Sequence, residues 1–346
     1  MTDLAATDLA GPGADPGAGE LEGHLEQHRV ELTAYSYRML GSGFEAEDAV
    51  QETMVRAWRG LERFEGRSAL RSWLYRIATN VCLDMLKGRE RRARPMDLAA
   101  AQTTATAVLG EPLAEATWIQ PVPDQRVLSA HADPAEAAVL RESVQLAFVA
   151  ALQHLPPRQR AVLILREVLQ WKAIEVAELL GSTVASVNSA LQRARATLAE
   201  QRVNLPGADG SSAPTGSAEL SDEDQNLLVR YLDAFERYDI EALVLLLHED
   251  ATLSMPPYNL WVAGAVEVGR WMLGPGAECQ GSRLVPTMAN GSPAFGQYRA
   301  GGPEGQHEPW SLTVLRFSAG RVTEITAFLD TPRLFPLFGL PDRLDG

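Results

Sequence analysis

Between residues 46 and 57, Ala46, Ala49, Val50, Thr53, Met54 and Ala57 recur at i, i+3, i+4, i+7, i+8 and i+11, the spacing of one face of an α-helix. Glu47, Asp48, Gln51, Glu52 and Arg59 fall on the opposite face. A second helix is predicted over 69–89, with Leu70, Trp73, Leu74, Ile77, Val81 and Met85 as its apolar line. Leu155-Pro156-Pro157 breaks a later helical pattern, because proline lacks an N–H and crowds the preceding turn. Helices are expected beyond it at 161–168, at 173–180 and, after Gly181, at 184–199. Along the last, Val187, Leu191, Ala194 and Leu198 pack inward, while Ser186, Asn188, Ser189, Gln192, Arg193 and Arg195 face solvent and Ser182 or Thr183 supplies the N-cap. From about residue 219 the pattern changes. Leu227, Leu228, Tyr231, Leu232 and Phe235 mark a long helix, a shorter one ends near His248, and a strand follows at 251–255. After a helix near 265–273, strands are predicted at 283–288 and 294–299 around an Asn290-Gly291 turn, and at 310–318 and 321–330 around Ala319-Gly320. The fold class is therefore multidomain: two all-α domains, then an α+β cone of helices followed by a curved antiparallel sheet.

Two stretches lack this periodicity. Residues 97–134 are rich in Ala, Thr, Pro and Gln, and residues 204–217 read NLPGADGSSAPTGS. The expected division is a disordered N-terminus (1–24), a first helical block (25–95), a linker (96–135), a second helical block (136–202), a flexible linker (203–218), the cone (219–336) and a tail (337–346). The chain carries 45 acidic and 31 basic residues, a net charge of −14, which on average argues against binding a polyanion. The distribution alters that conclusion. Residues 218–346 hold −9 of the charge, whereas residues 64–95 carry a local net of +5. Cys82 and Cys279 are too few for a disulfide framework or a zinc spacing, so a reducing cytoplasm is expected, with no metal and no cofactor. No signal peptide or membrane span is expected either, since residues 1–20 lack an apolar run and no stretch of about 18 apolar residues occurs.

The helix, glycine turn and helix over 173–199 suit a DNA-reading helix-turn-helix, because Ser, Asn, Gln and Arg can donate and accept at base edges and phosphates. A helical bundle with a solvated polar face has the same pattern. The basic run from Lys87 to Arg94 either satisfies the last carbonyls of its helix or, beside Phe64, Trp73 and Tyr75, suits single-stranded DNA, whose unstacked bases need a π-face. On its apolar line, Trp73 reads as core.

The segment YSYRMLGSGFEAEDAVQETMVRAWRGLERFEGRSALRSWLYRIATNVCLDMLKGRERR resembles sigma region 2 of the bacterial sigma-70 family, and ALQHLPPRQRAVLILREVLQWKAIEVAELLGSTVASVNSALQRARATL resembles sigma region 4. With nothing of region 3 between them, the order resembles the extracytoplasmic-function (ECF) group. The resemblance implies core RNA polymerase and promoter DNA as partners, with the clamp of the largest subunit and the flap of the second largest as docking sites. It implies that Asp48, Gln51, Glu52 and Thr53 meet the clamp, acidic groups against arginines. It places residues 64–73, with Arg67, Arg71 and Trp73, in the loop holding a flipped base of the −10 element, and Asn80, Asp84, Lys87, Arg91 and Arg92 on the helix that contacts this element while it melts. Ser182, Thr183, Ser186, Asn188, Ser189, Arg193 and Arg195 fall to the −35 major groove. The first linker is expected to thread near the RNA exit path. Where the family commonly has a Lys and an Arg in the recognition helix, this chain has Asn188 and Ala190, which weakens phosphate anchoring.

The third block resembles the SnoaL-like, or NTF2-like, cone, and sigma factors carrying it form a subset in which the extension is a built-in regulator. A contact of this domain with the sigma core is therefore expected, for which the turn and strand NGSPAFGQYR are a candidate, and the acidic cone is expected to mask the basic stripe. Tyr258, Trp261, Trp271, Trp310 and Phe328 are candidate cavity-lining residues for a small-molecule ligand, with ordinary core filling as the alternative. For an enzyme, His248, Asp250, Asp233 and His307 have the right types but no spacing that joins them, so the expectation is a non-catalytic subunit.

Overall fold

The computed structural model describes Gly23 and residues 25–60, 69–129, 133–201, 220–301 and 305–345. The expected disordered N-terminus, the loop containing Phe64 and Arg67, and the linker at 203–218 lie outside these residues. The first block comprises α1 (Arg29–Leu40), α2 (Gly43–Gly60) and α3 (Leu70–Met85). Gly41, at φ +73°, ends α1 in the left-handed conformation, and its N–H returns to the Tyr37 carbonyl at 2.8 Å. The inward face of α2 is the predicted one, with Ala46, Ala49, Val50, Thr53 and Ala57 buried. α3 stops at Met85, four residues early. Gly88 at φ +70° turns the chain, so the basic run continues in an irregular segment beyond the helix instead of capping its carbonyls.

That segment runs into the first linker, which is a fitted strap over its described part. Ala93 brackets Trp118 through Ala93 N–H to Thr117 O (2.7 Å) and Ile119 N–H to Ala93 O (3.1 Å). Farther along, Gln102 N–H donates to Trp261 O and Leu113 N–H to Pro257 O, both at 2.9 Å. Trp118, Ile119, Val122 and Val127 are buried. Each fills its own niche without a helical or strand repeat, which is why periodicity missed them.

The second block is α4 (Pro134–Glu142), α5 (Leu146–Gln153), α6 (Pro157–Leu163) with a π-helical turn at Ile164–Val168, α7 (Ala173–Leu180) and α8 (Val184–Glu200). The diproline break lies as expected, but Pro157 itself opens α6, at the position where its missing N–H is harmless. The two helical blocks share one apolar core that runs from Leu32, Tyr35 and Leu74 to Leu163, Ile164 and Leu191. Within it, Tyr75 lies edge-on to Tyr35 at 5.2 Å and tilted against Trp171 at 5.0 Å. Two buried cations tie the blocks together. Arg38 of α1 donates through Nε to Ser143 Oγ (2.9 Å), and Arg160 of α6 donates to the Met39 carbonyl and, at 2.6 Å, to Gln153 Oε1. Desolvation pulls both guanidinium groups down to about 10.

The third block opens with α9 (Asp222–Glu236), capped by Ser221, and α10 (Ile240–Leu246), capped by Asp239. Strands β1 (Leu247–Ser254) and β2 (Trp261–Ala263) precede α11 (Ala265–Leu273), and β3 (Arg283–Ala289), β4 (Ser292–Ala300), β5 (His307–Ser318) and β6 (Arg321–Phe328) precede α12 (Thr331–Phe338). The sheet order is β2-β1-β6-β5-β4-β3, with β1 parallel to β6 and every other pair antiparallel. This is the expected α+β cone, except that the parallel β1–β6 pair makes the sheet mixed where an antiparallel one was expected. β1 begins at Leu247, so His248 belongs to a strand and does not end a helix. β2 is too short to show alternation, and Pro332 and Pro336 concealed α12. Beyond α12 the chain returns to the sheet, where His307 and Leu344 exchange two backbone bonds of 3.0 Å.

Candidate functional site

The outer face of α8 is built by its cap and its apolar line. Thr183 Oγ1 accepts from Ser186 N–H at 3.2 Å, and Val187, Ala190, Leu191, Ala194 and Leu198 turn inward. Thr183, Ser186, Asn188, Ser189, Arg193 and Arg195 are exposed, Ser182 is half-buried, and Arg195 pairs with Glu167 at 2.7 Å. Ala190 is on the buried side, so the missing cation there was never a surface feature in this chain, and Asn188 alone bears on phosphate anchoring.

On α3, Asn80 and Asp84 are exposed, and Lys87 just beyond the helix holds Asp84 at 2.6 Å. Arg91 is exposed and lies 2.9 Å from His154 Nδ1. Arg92 does not belong to this surface. It is 6% exposed, donates to Glu115 O (2.9 Å) and Trp118 O (2.7 Å) and pairs with Glu45 at 2.9 Å, which makes it an anchor for the strap. Arg71 is half-buried: its Nε donates to Glu31 at 2.7 Å, and its guanidinium lies 5.2 Å from the Tyr75 ring and 5.6 Å from Trp171. Trp73 is half-buried and packs on the shared core, as its place on the apolar line implied. Arg67 lies outside the described residues.

On α2, Asp48, Gln51 and Glu52 are exposed, with Glu52 bonded to Arg56 at 2.7 Å. Thr53 is fully buried and its hydroxyl returns to the Ala49 carbonyl at 2.7 Å, so it supports the helix and offers nothing to a partner. Its place among the inward positions already carried that signal. Sequence reasoning missed Trp58, which is 66% exposed beside Val55. Both lie off the apolar line of α2, and an unspent aromatic on the polar face is unusual.

The turn between β3 and β4 reaches the sigma core. Asn290, at φ +56° and fully buried, donates through Nδ2 to Tyr37 Oη (2.6 Å) and Val144 O (2.8 Å), and its Oδ1 accepts from Val122 N–H (3.0 Å). One side chain thus joins α1, the strap and the segment before α5 to the cone. Gly291 follows at φ +68°, packed so closely on Arg141 that a Cβ would collide with it, and its N–H donates to Asp124 at 2.7 Å. Burial lifts the Asp124 carboxyl to about 6, offset in part by this bond. Ala34, Tyr37, Ile119 and Val149 share a second apolar core with Ala289, Tyr298, Val314 and Phe335 of the cone. The expected contact of cone and sigma core exists, and in place of the expected masking by the acidic cone the ion pairs of the basic stripe, among the described residues, are made within the sigma core and the strap. Arg89 and Arg92 are paired with Glu45 of α2, and Arg94 with Asp97 of the strap.

Inside the cone, Trp271 and Trp310 line a cavity of about 280 Å³ together with Tyr231, which sequence reasoning had placed only on a helix face. Phe328 lines a separate space of about 180 Å³ against Trp118 of the strap. Tyr258 and Trp261 line neither, and Trp261 Nε1 holds Ala99 O of the strap at 2.9 Å. Of the four acid/base candidates, His248 and Asp250 meet through a backbone N–H alone. Asp233 pairs with Arg237 (2.6 Å), His248 Nδ1 accepts from Asp250 N–H (3.2 Å), and His307 Nε2 donates to Gly281 O (3.0 Å). Among the described residues no cluster could hold a metal ion, and no helix is long and apolar enough to cross a membrane.

Residues 24–92 match the family model of Sigma-70 region 2, and residues 145–198 that of Sigma-70, region 4. The chain is 48% identical over 333 residues to the ECF RNA polymerase sigma factor SigG of Mycobacterium tuberculosis, covering 96% of this chain and 86% of the relative. It is 28% identical over 312 residues to SigJ of the same species, covering 87% and 86% of the two chains. The crystal structure of SigJ aligns with 94% of this chain and all of its own at a TM-score of 0.58 and 22% identity, a likeness of fold that includes the cone. Two sigma regions in order and near-half identity that continues through the cone lead to one statement: the chain belongs to the extracytoplasmic-function sigma factors of the sigma-70 family.

Proposed function

We propose that this sigma factor, whose partners are core RNA polymerase and promoter DNA, is held closed by its own C-terminal domain and must open to direct initiation. The carrying observation is the Asn290 side chain, which bonds α1, the strap and Val144 from the tip of a cone hairpin. The geometry of a promoter supplies the reason. Elements centred near −10 and −35 lie about 25 base pairs apart, or about 85 Å at about 3.4 Å per pair. Surfaces on blocks that share one core, with Tyr75 and Trp171 at 5.0 Å, cannot reach both elements at once. Arg71, assigned to the −10 element, is meanwhile engaged by Glu31 and Trp171.

In the open form, Asp48, Gln51 and Glu52 of α2 dock on the clamp, with Trp58 as an apolar contact beside them, and the second block docks on the flap. Asn80, Asp84, Lys87, Arg91 and the released Arg71 serve the −10 element, and the Thr183 to Arg195 face of α8 enters the −35 major groove. Melting proceeds by capture of unpaired bases, so no catalytic step is assigned to any domain, and the chain works in the cytoplasm beside the polymerase. The test is a dipolar distance between spin labels at Val55 and Ala196 in a Cys279→Ser background. The free chain should give one short distance, and core polymerase with promoter should lengthen it by tens of ångströms. An unchanged distance in an active complex would refute the closed-to-open reading.

A further inference from the structure

A crevice of about 850 Å³ lies in the sigma core, away from the cone, where the basic run, the strap and the second block meet. Its apolar wall is aliphatic, with Leu40, Leu86, Leu98, Ala116 and Leu155, and among the described residues no aromatic side chain lines it. Its charged wall holds four arginines, Arg89, Arg91, Arg92 and Arg160, against Glu45 and Glu90. The arginines are short of partners. Glu45 serves both Arg89 and Arg92. Arg160 is 3% exposed, and each bond it makes is to a neutral oxygen: the Met39, Gln153 and Leu155 carbonyls and Gln153 Oε1. Arg91 is exposed, and its Nη1 lies 2.9 Å from Nδ1 and 2.7 Å from Nε2 of His154. Burial, and then the charge of Arg91, holds that imidazole below its ordinary value, so at pH 7.5 it is neutral and supplies no counter-charge. Among the described residues no ion pair joins Arg91 or Arg160 to a carboxylate. Cations in such settings are ordinarily paired, so the crevice carries an excess of two positive charges that nothing on its walls offsets.

Charge, lining and size define the occupant. The excess of two charges matches a phosphate monoester, which carries about −1.5 to −2 at pH 7. The aliphatic wall suits an alkyl body, whereas a nucleobase would find no ring to stack on. At about 30 Å³ per non-hydrogen atom, the share of one water in the liquid, the volume takes up to about 28 atoms. Arg89 and Arg91 stand exposed in the irregular segment beyond α3, where a phosphate has access to them, while Arg92 and Arg160 act through their fields from the buried side. The walls come from three pieces of the chain: Leu86 and Arg91 belong to the first block, Leu98 and Ala116 to the strap, and Leu155 and Arg160 to the second block.

We propose that this crevice binds a phosphate monoester of an aliphatic alcohol, its phosphate on Arg89 and Arg91 and its chain along the leucines, and that the bound molecule staples the first block, the strap and the second block together. Its use as a signal rests on the closed-state reading above, because opening would part the three walls and a bound phosphate withholds Arg91 from the promoter. The probes are octyl phosphate and its two halves, inorganic phosphate and octanol, each titrated into the full chain at pH 7.5 by calorimetry. Wild type should bind octyl phosphate saturably and at least about ten-fold more tightly than either half, and Arg91→Gln should bind it about ten-fold more weakly. Ala116→Trp, which narrows the aliphatic wall from the exposed strap, should weaken octyl phosphate and leave inorganic phosphate unchanged. Both positions are exposed, and an unchanged Tm verifies that the variants fold. Hydrogen exchange supplies the second readout: octyl phosphate should slow exchange at the Ala93 and Ile119 amides, which bracket the strap to the first block. No saturable binding, equal affinity in Arg91→Gln, or octanol bound as tightly overturns the site. Inorganic phosphate bound as tightly, or Ala116→Trp without effect, overturns the aliphatic body, and binding without slower exchange overturns the staple. None of these results bears on whether polymerase opens the chain, which the label distance decides.

Discussion

Asn290 and Asp124 carry the junction at the scale of single residues, and they respond to different perturbations. Replacing Asn290 with Ala leaves the Val144 carbonyl and the Val122 N–H without that side chain, both in a buried setting. At about 1–3 kcal/mol for an unsatisfied buried group, closure should weaken by about 2–3 kcal/mol. Gly291→Ala should act in the same direction through its positive φ and the collision with Arg141. Asp124 brings pH dependence. Its folded carboxyl titrates near 6, above its ordinary value of 3.8, so the closed form holds more protons between those values. Its contribution is therefore present at and below about pH 4, is lost as pH rises to about 6, and stays lost above. Asp124→Asn keeps an acceptor for Gly291 N–H without the buried charge, so the variant should melt higher than wild type at pH 7.5 and lack the slope between pH 4 and 6. Calorimetry across that range checks both. Arg92→Ala should lower Tm by uncoupling the strap, whereas Arg91→Ala should leave Tm alone and weaken promoter binding.

Individual helices separate support from recognition. On α2, Glu52→Lys and Trp58→Ala should each weaken polymerase binding by about ten-fold with Tm unchanged, while Thr53→Val should do the reverse, losing stability through its buried hydroxyl. On α8, Thr183→Ala should cost about 1 kcal/mol through the lost cap. The apolar lines of α2, α3 and α8 were legible because each helix buries one face against a core, and that periodicity put Thr53 inward even though the resemblance grouped it with Gln51 and Glu52 as a clamp contact. The strap was not legible, since Trp118, Ile119, Val122 and Val127 are buried by distant partners and no local repeat records them. The Asn290-Gly291 turn was readable as a hairpin and as a candidate contact with the sigma core, but the partners that bury it were not readable, because they depend on where α1 and the strap lie. Tyr231 appeared only as one of an apolar helix line, and its place in the cavity wall is a property of the packed cone.

For the whole molecule, the proposed closed form means that a chain of net −14 binds promoter DNA only after rearrangement. In that form the contact between cone and sigma core consists of apolar packing and a buried amide. A chain ended after Ser217 loses the cone half of a shared core, and its promoter-directed activity should rise wherever the sigma core remains folded. The point variant is the cleaner test, because apparent affinity falls with the fraction of competent chain, and a closure weakened by about 2–3 kcal/mol raises that fraction, while it is small, by about 30- to 150-fold. The decisive measurement is transcript yield at limiting sigma factor, with core polymerase and a promoter selected from a random library. Asn290→Ala, folded by circular dichroism, should yield at least about ten-fold more transcript than wild type, and an equal or lower yield would contradict the claim that the cone holds this sigma factor closed.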